Sequence, residues 1–288
     1  MNERLFALLQ YPLPHHFLSR LMWLLTRLQM GALTHWMIAT FVRRFRVNMN
    51  EAADSNVSAY ASFNKFFTRA LKPGIRAVVT GDGQLACPVD GAVSQAGAIL
   101  QNRLFQAKGH DYTLESLLAG DTALAAEFTN GTFATIYLSP RDYHRIHMPD
   151  TGRLRRTLFV PGRLFSVNSA TARQVPGLFA RNERLVCIFD TAHGVMAVIL
   201  VGALFVGSME TVWDGAIAPP WLPGAKPVDT QKTDANITLE RGMEMGRFNM
   251  GSTVILLFGE NAMQLDSAMR ESQPVQLGQL MGAWKSTS

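Results

Sequence analysis

Cysteine is nearly absent. The 288 residues contain only Cys87 and Cys187, which excludes a disulfide framework and points to a reduced compartment. With no CxxC motif and no Cys/His cluster at zinc spacing, the expectation is that there is no metal. Charge is sparse: 17% of residues are charged against 48% hydrophobic, which excludes intrinsic disorder and allows a full core. No apolar run in the N-terminal segment reaches the ~18–20 residues of a spanning helix, because arginine interrupts each one. A cleaved signal peptide fits poorly, since a basic start, an unbroken apolar stretch and a small-residue cleavage site do not occur in that order. There is no G-x-S-x-G elbow, which argues against an α/β-hydrolase. Repeats and low-complexity tracts are missing as well. The length suits one large domain, or one domain with an appendage.

The positive charge that is present is concentrated. Residues 1–47 hold Arg4, Arg20, Arg27, Arg43, Arg44 and Arg46 against one acid, Glu3, so the whole net charge of +5 sits there and the remainder is neutral. The same segment carries Phe17, Leu18, Leu21, Leu25 and Leu28 at helical spacing, with Arg20, Trp23 and Arg27 beside them. A second pattern, Leu33, Trp36, Met37 and Phe41, ends in Arg43 and Arg44. Two readings are open: amphipathic helices lying in an anionic membrane surface, or core helices with a solvated basic face. A neutral body and the lack of a binding motif argue against nucleic acid.

Beyond residue 48 the pattern turns to strands. Tyr60 to Leu71 predicts one more helix, stopped by Pro73 and Gly74. Thr113 to Leu118 predicts a short helix capped by Thr113 and ended by Gly120. Strands are expected at 85–89, 92–99, 132–138, 154–160, 185–189, 195–206 and 253–258. The fold class is therefore α+β: N-terminal amphipathic helices (residues 1–47) followed by an antiparallel-rich β body (residues 48–288).

Three segments could carry chemistry. Leu138 to Pro149 gathers Arg141, Asp142, His144, Arg145 and His147 after a strand. Histidine suits proton transfer near neutral pH; the bland reading is a polar loop of hydrogen-bonded histidines. A helical turn would put His144 and His147 on one side, a strand on opposite faces. In Cys87-Pro-Val-Asp-Gly-Ala-Val93, Asp90 is first a turn former and second a carboxylate for catalysis. In Gly246 to Phe258, Gly251-Ser252 opens a buried strand. It is either a tight turn or a nucleophile beside a residue that permits close approach. Spacing alone does not show whether Asp90, His147 and Ser252 meet as a triad. A serine hydrolase acting on an external ester and a non-catalytic lipid-binding protein both remain open.

Several strings together resemble the bacterial phosphatidylserine decarboxylases, almost end to end. They include Phe63-Asn-Lys-Phe-Phe-Thr-Arg69, Pro88-Val-Asp-Gly91, Gln106-Ala-Lys-Gly-His110, Tyr137-Leu-Ser-Pro-Arg-Asp-Tyr-His-Arg-Ile-His-Met-Pro149 and Val160-Pro-Gly-Arg-Leu-Phe-Ser-Val-Asn168. Phe179-Ala-Arg-Asn-Glu-Arg184, Val201-Gly-Ala203, Val206-Gly-Ser-Met-Glu-Thr-Val-Trp213 and Gly251-Ser-Thr253 add to them. Met250 stands where leucine is commoner, an apolar exchange. The resemblance implies a proenzyme that cuts itself between Gly251 and Ser252, with Ser252 attacking, His147 taking its proton and Asp90 orienting the imidazole. Ser252 would become a covalent pyruvoyl cofactor. That group would form a Schiff base with phosphatidylserine and release carbon dioxide to give phosphatidylethanolamine. His144 is assigned as proton donor or headgroup contact. The implied partners are the lipid substrate, an anionic membrane surface, and the chain's own two pieces as a heterodimer, with or without further association. The implied location is peripheral, on the cytoplasmic face of the cytoplasmic membrane.

Overall fold

The computed structural model describes residues 2–107, 109–205, 208–217, 228–231 (backbone only), 236–250 and 253–285. Three helices come first: α1 (Glu3–Gln10), α2 (His15–Arg27) and α3 (Ala32–Phe45). Arg46, in the left-handed conformation, ends α3. A short α4 (Phe63–Phe67) follows, capped by Ser62, whose hydroxyl accepts the Lys65 N–H at 3.3 Å. It is much shorter than the helix expected over 60–71, because Tyr60 and Ser62 are extended and Thr68 leaves helical geometry.

The strands that matter for the site are β1 (Gly91–Ala98), β2 (Thr132–Tyr137), β3 (Arg145–His147), β4 (Gly152–Val160) and β5 (Arg184–Thr191). They continue with β6 (Val195–Val201), β7 (Met209–Thr211), β8 (Glu244–Phe248) and β9 (Thr253–Phe258). Among the described residues, a nine-stranded sheet runs in the spatial order β4-β5-β6-β9-β2-β1, with short strands added at both edges. Its pairings are antiparallel. Every residue of β9 is buried, as its unbroken apolar sequence requires. A smaller sheet pairs β7 with β8 and β8 with β3.

The expected α+β class holds, with helices at the N-terminus and an antiparallel body. Thr113 caps the helix Leu114–Leu117 as expected. The strand expected over 195–206 stops at Val201, and Val206 lies outside the described residues. The paired strands Arg103–Ala107 and His110–Thr113 were missed; Arg103, Gln106 and Asp111 give them the polarity of a loop.

Register places the site. One row of paired residues crosses the large sheet: Ala92, Tyr137, Thr253, Val201 and Arg184. The start of β1, the end of β2, the start of β9 and the end of β6 therefore lie along one edge. Asp90 precedes this row on β1, the histidine segment leaves it from β2, and Ser252 is bonded to its central member, Thr253.

Helix α2 buries only polar residues, while α1 and α3 bury one polar and one apolar residue each. Their buried residues include Gln10, His15, Ser19, Thr26 and Thr34. Gln10 donates to the Thr171 hydroxyl at 3.1 Å and accepts the Ser166 N–H at 2.8 Å. His15 accepts the Leu164 N–H at 3.3 Å, and the Ser19 hydroxyl accepts the Phe205 N–H at 3.2 Å. The opposite face is apolar and exposed, with Leu5 at 51%, Phe17 at 65% and Trp36 at 62%. A small core crosses the boundary drawn at residue 47: Ile38 and Val47 pack with Phe63, Phe66 and Phe67.

Candidate active site

Strand β3 carries His147, and its partner β8 runs directly into the segment holding Gly251 and Ser252. His147 pairs with Glu244 across these strands, and the Phe248 N–H donates to the His144 carbonyl at 3.0 Å. The backbone N–H of His147 donates to Pro88 O at 2.9 Å, which brings the Asp90 segment alongside. Gly251 and Ser252 themselves lie outside the described residues. Met250, immediately before them, packs against both apolar cores.

His147 is held at both ring nitrogens. Nδ1 lies 2.7 Å from Gly242 O, so it must carry the proton. Nε2 is left with a lone pair and accepts from the Tyr143 hydroxyl at 3.1 Å. Burial lowers its pKa from the usual histidine value, partly opposed by the Gly242 carbonyl and the charges of Glu244 and Asp90. The ring is thus a neutral base with its reactive lone pair occupied by a hydroxyl that can be displaced.

Asp90 is engaged elsewhere. Its carboxylate takes a two-pronged bond from Arg76, Nε at 3.0 Å and Nη2 at 2.6 Å, and accepts the Leu277 N–H at 2.9 Å. Arg76 also reaches Glu51 at 2.7 Å. No hydrogen bond joins Asp90 to His147, whose Nδ1 proton is held by Gly242 O while Asp90 acts on the ring through its charge. Gly91 is required by close approach, since a Cβ there would fall 2.5 Å from Tyr137 O.

His144 differs from its neighbour. It is fully buried, 4.1 Å between ring centres from Phe67, with Nδ1 2.8 Å from Asp142 O. Its Nε2 is buried and has no partner among the described residues. Burial, reinforced by the charge of Arg69, lowers its pKa to about 3. Asp142 accepts both the N–H and the hydroxyl of Ser139 at 2.7 Å, which fixes the loop between β2 and β3. The two histidines therefore do different work: His147 faces Tyr143 and Gly242, His144 faces α4.

Two cavities flank this loop. One, of about 280 Å³, is apolar and lined by Phe41, Phe45, Phe67, Leu138, Phe205 and Met250. It opens between α3 and the Met250 segment. The other, of about 290 Å³, is polar and lined by Arg69, Arg76, Asp90, Arg141 and Asp142. Among the described residues no three His, Cys, Asp or Glu side chains gather as a metal site. Cys87 and Cys187 are buried and free. Sequence reasoning did not single out Tyr143, Arg76 or Gly242. Tyr143 lay within a quoted motif, whereas nothing local marked the other two.

A family profile described as phosphatidylserine decarboxylase matches residues 63–283, and a second, described as PSD, matches residues 5–46. A phosphatidylserine decarboxylase proenzyme of Delftia acidovorans is 56% identical over 282 residues, covering 98% of each chain. Proenzymes of the same name from Ectopseudomonas mendocina and Pseudomonas aeruginosa are each 51% identical, covering 98% and 97% of this chain and 99% and 97% of their own. The chain belongs to the phosphatidylserine decarboxylase family.

Proposed function

We propose that the chain is a phosphatidylserine decarboxylase made as a self-processing proenzyme. The observation that carries this reading is the pairing of the histidine strand β3 with β8, the strand that leads into Gly251-Ser252. In the first stage His147 takes the Ser252 hydroxyl proton through Nε2. Ser252 Oγ bonds to the Gly251 carbonyl carbon, the Gly251–Ser252 C–N bond breaks, and the proton passes to the released nitrogen. Loss of the Ser252 α-proton and of the Gly251 carboxylate then separates two chains, residues 1–251 and 252–288. Uptake of water and loss of ammonia leave a pyruvoyl group in place of Ser252. Asp90 contributes its negative charge near the imidazole, with Arg76 and Leu277 N–H holding it in place.

The residues around this segment suit such a group. Among the described residues Thr253 Oγ1 and His144 Nε2 are both buried and unpartnered, so a carbonyl-rich group and a polar headgroup would find contacts there. Once formed, the pyruvoyl group supplies the electron-withdrawing carbonyl that decarboxylation of an amino acid needs. His144, with its proton on Nδ1, presents an acceptor at Nε2. Burial opposes its protonation, so of its two expected roles the headgroup contact is favoured over proton donation. The apolar cavity beside Met250 takes the glycerol and acyl part of the lipid.

The apolar outer face of α1–α3 supports a membrane-surface location for this site. Arg20, Arg43 and Arg44 are exposed beside it, and each basic group near an anionic surface contributes ~1 kcal/mol. Among the described residues no helix is long and apolar enough to span a bilayer. We place the chain peripherally on the cytoplasmic face, where anionic lipid is presented. The test is release of carbon dioxide from phosphatidylserine vesicles by the purified protein. Activity in the wild type and none in Ser252→Ala is expected; equal release from both would refute the reading.

A further inference from the structure

Residue 249 is locked two positions before the scissile bond. Its backbone N–H donates to Ser208 O at 3.2 Å. Its side-chain amide donates to the Ser208 hydroxyl and, at 3.0 Å, to Glu210. Its two remaining acceptors are served by one side chain: Asn64 Nδ2 donates to Asn249 O at 3.1 Å and to Asn249 Oδ1 at 3.2 Å. Both asparagines are buried, at 8% and 3% exposure. On the far side of the scissile bond, Thr253 is fixed in the sheet by Tyr137 and Val201. Only residues 250–252 lie between the two clamps. The downstream clamp belongs to the core of the large sheet. The upstream one holds its donors through Ser208 and Glu210, and its main-chain carbonyl through a single side chain from α4, a helix of five residues.

Asn64 has no structural need to point this way. Its neighbours Phe63, Phe66 and Phe67 turn toward α3 and meet the Phe41 ring at 5.1, 5.9 and 6.2 Å between centres. That apolar packing holds α4 through residues other than Asn64. An amide, with a donor that reaches a main-chain carbonyl, is what fixing a backbone requires. Fixing it matters because attack of a hydroxyl on a neighbouring carbonyl demands near-attack geometry, and ~1 Å of misplacement costs about 10²-fold in rate.

We propose that Asn64 is the positioning residue for self-cleavage: by holding the carbonyl of residue 249 it sets the backbone from which Gly251 is presented to Ser252. This rests on the processing reading given above. Asn64 touches neither reacting atom and acts through the main chain. Because α4 is packed against α3, the anchor also ties the processing site to the membrane-facing layer.

The test follows disappearance of the full-length chain by denaturing mass spectrometry after cell-free synthesis. Wild type, Asn64→Ser, Asn64→Asp and Thr68→Val are compared, with and without hydroxylamine at neutral pH, where it cleaves an ester but spares peptide bonds, including the Asn130-Gly131 bond that it cuts in alkali. Thr68→Val is the packing control, since it removes the 2.9 Å bond from the Thr68 hydroxyl to Asn64 O without touching residue 249. Protease resistance of each variant reports folding. The expected result is that Asn64→Ser and Asn64→Asp stay folded and process at least tenfold more slowly, that Thr68→Val keeps the wild-type rate, and that hydroxylamine gives no rescue because the ester has not formed. Asn64 variants within twofold of wild type would overturn the proposal. So would rescue by hydroxylamine, which would move the defect to the later elimination, and so would a slowing matched by lost protease resistance in both variants. An uncut wild-type chain would remove the processing reading itself, an outcome distinct from the others.

Discussion

Two histidines three residues apart are both kept neutral by burial but meet different surroundings at Nε2. His147 keeps its base at Nε2 through the Gly242 carbonyl and the Tyr143 hydroxyl. Its lowered pKa means that the neutral, reactive form persists below the pH at which an ordinary histidine charges. Self-cleavage should therefore hold its plateau as pH falls through 6.5 and decline only below it; a rate that halves at pH 6.5 or above would contradict this. Tyr143→Phe should leave the chain folded and change the cleavage rate, while His147→Gln should abolish cleavage. For His144 the sign of the stability effect is fixed by linkage. Its folded pKa of about 3 lies below the unfolded value of 6.5, so the unfolded chain takes up the proton first and stability falls as pH drops from 6.5 toward 3. Glu183 works the other way: burial raises it to about 7 from 4.5, so its contribution is largest below pH 4.5 and is lost as pH rises to 7. Tm measured from pH 4 to 8 should flatten on the acid side in His144→Gln and on the neutral side in Glu183→Gln. Asp90, His147 and Ser252 stood out in the sequence as separate candidates. Their partners did not, because Arg76, Gly242 and Leu277 come from elsewhere in the chain and carry no motif of their own.

At the scale of elements, periodicity revealed helices α2 and α3 but not which face they bury. A helix with an apolar stripe ordinarily turns it inward. Here Gln10, His15 and Ser19 bond the body and the leucine face is left outside. The same pattern with the opposite orientation would be a plain core helix, so only the partner surface decides. Phe17→Glu and Trp36→Glu should weaken binding to phosphatidylserine-containing vesicles at least tenfold in a flotation assay while leaving self-cleavage unchanged; unaltered flotation would remove these helices as the membrane contact. Strands β5, β6 and β9 were legible because buried strands are apolar throughout. Strand β3 was not, since Arg145 and His147 gave it the composition of a loop.

At the scale of the whole molecule, the site is a consequence of sheet register. Ala92, Tyr137, Thr253 and Val201 share one row, so residues far apart in sequence meet at one edge. Gly91 is where this row is sensitive to a side chain, because Tyr137 O occupies the place a Cβ would need. Gly91→Ala should force β1 away from β2 and cost about 1–3 kcal/mol in urea unfolding, with slower cleavage from the displaced Asp90; wild-type stability would show that the sheet tolerates the side chain. The α+β class was readable from the order of patterns along the chain, but this row was not, since antiparallel register depends on pairings that no local string encodes. Denaturing mass spectrometry of the freshly made protein beside Ser252→Ala tests the central claim most directly. The account predicts two fragments in the wild type, one ending at Gly251 and one beginning at position 252 with a ketone in place of its amine, and a single intact chain in the variant. An intact chain in both would contradict it.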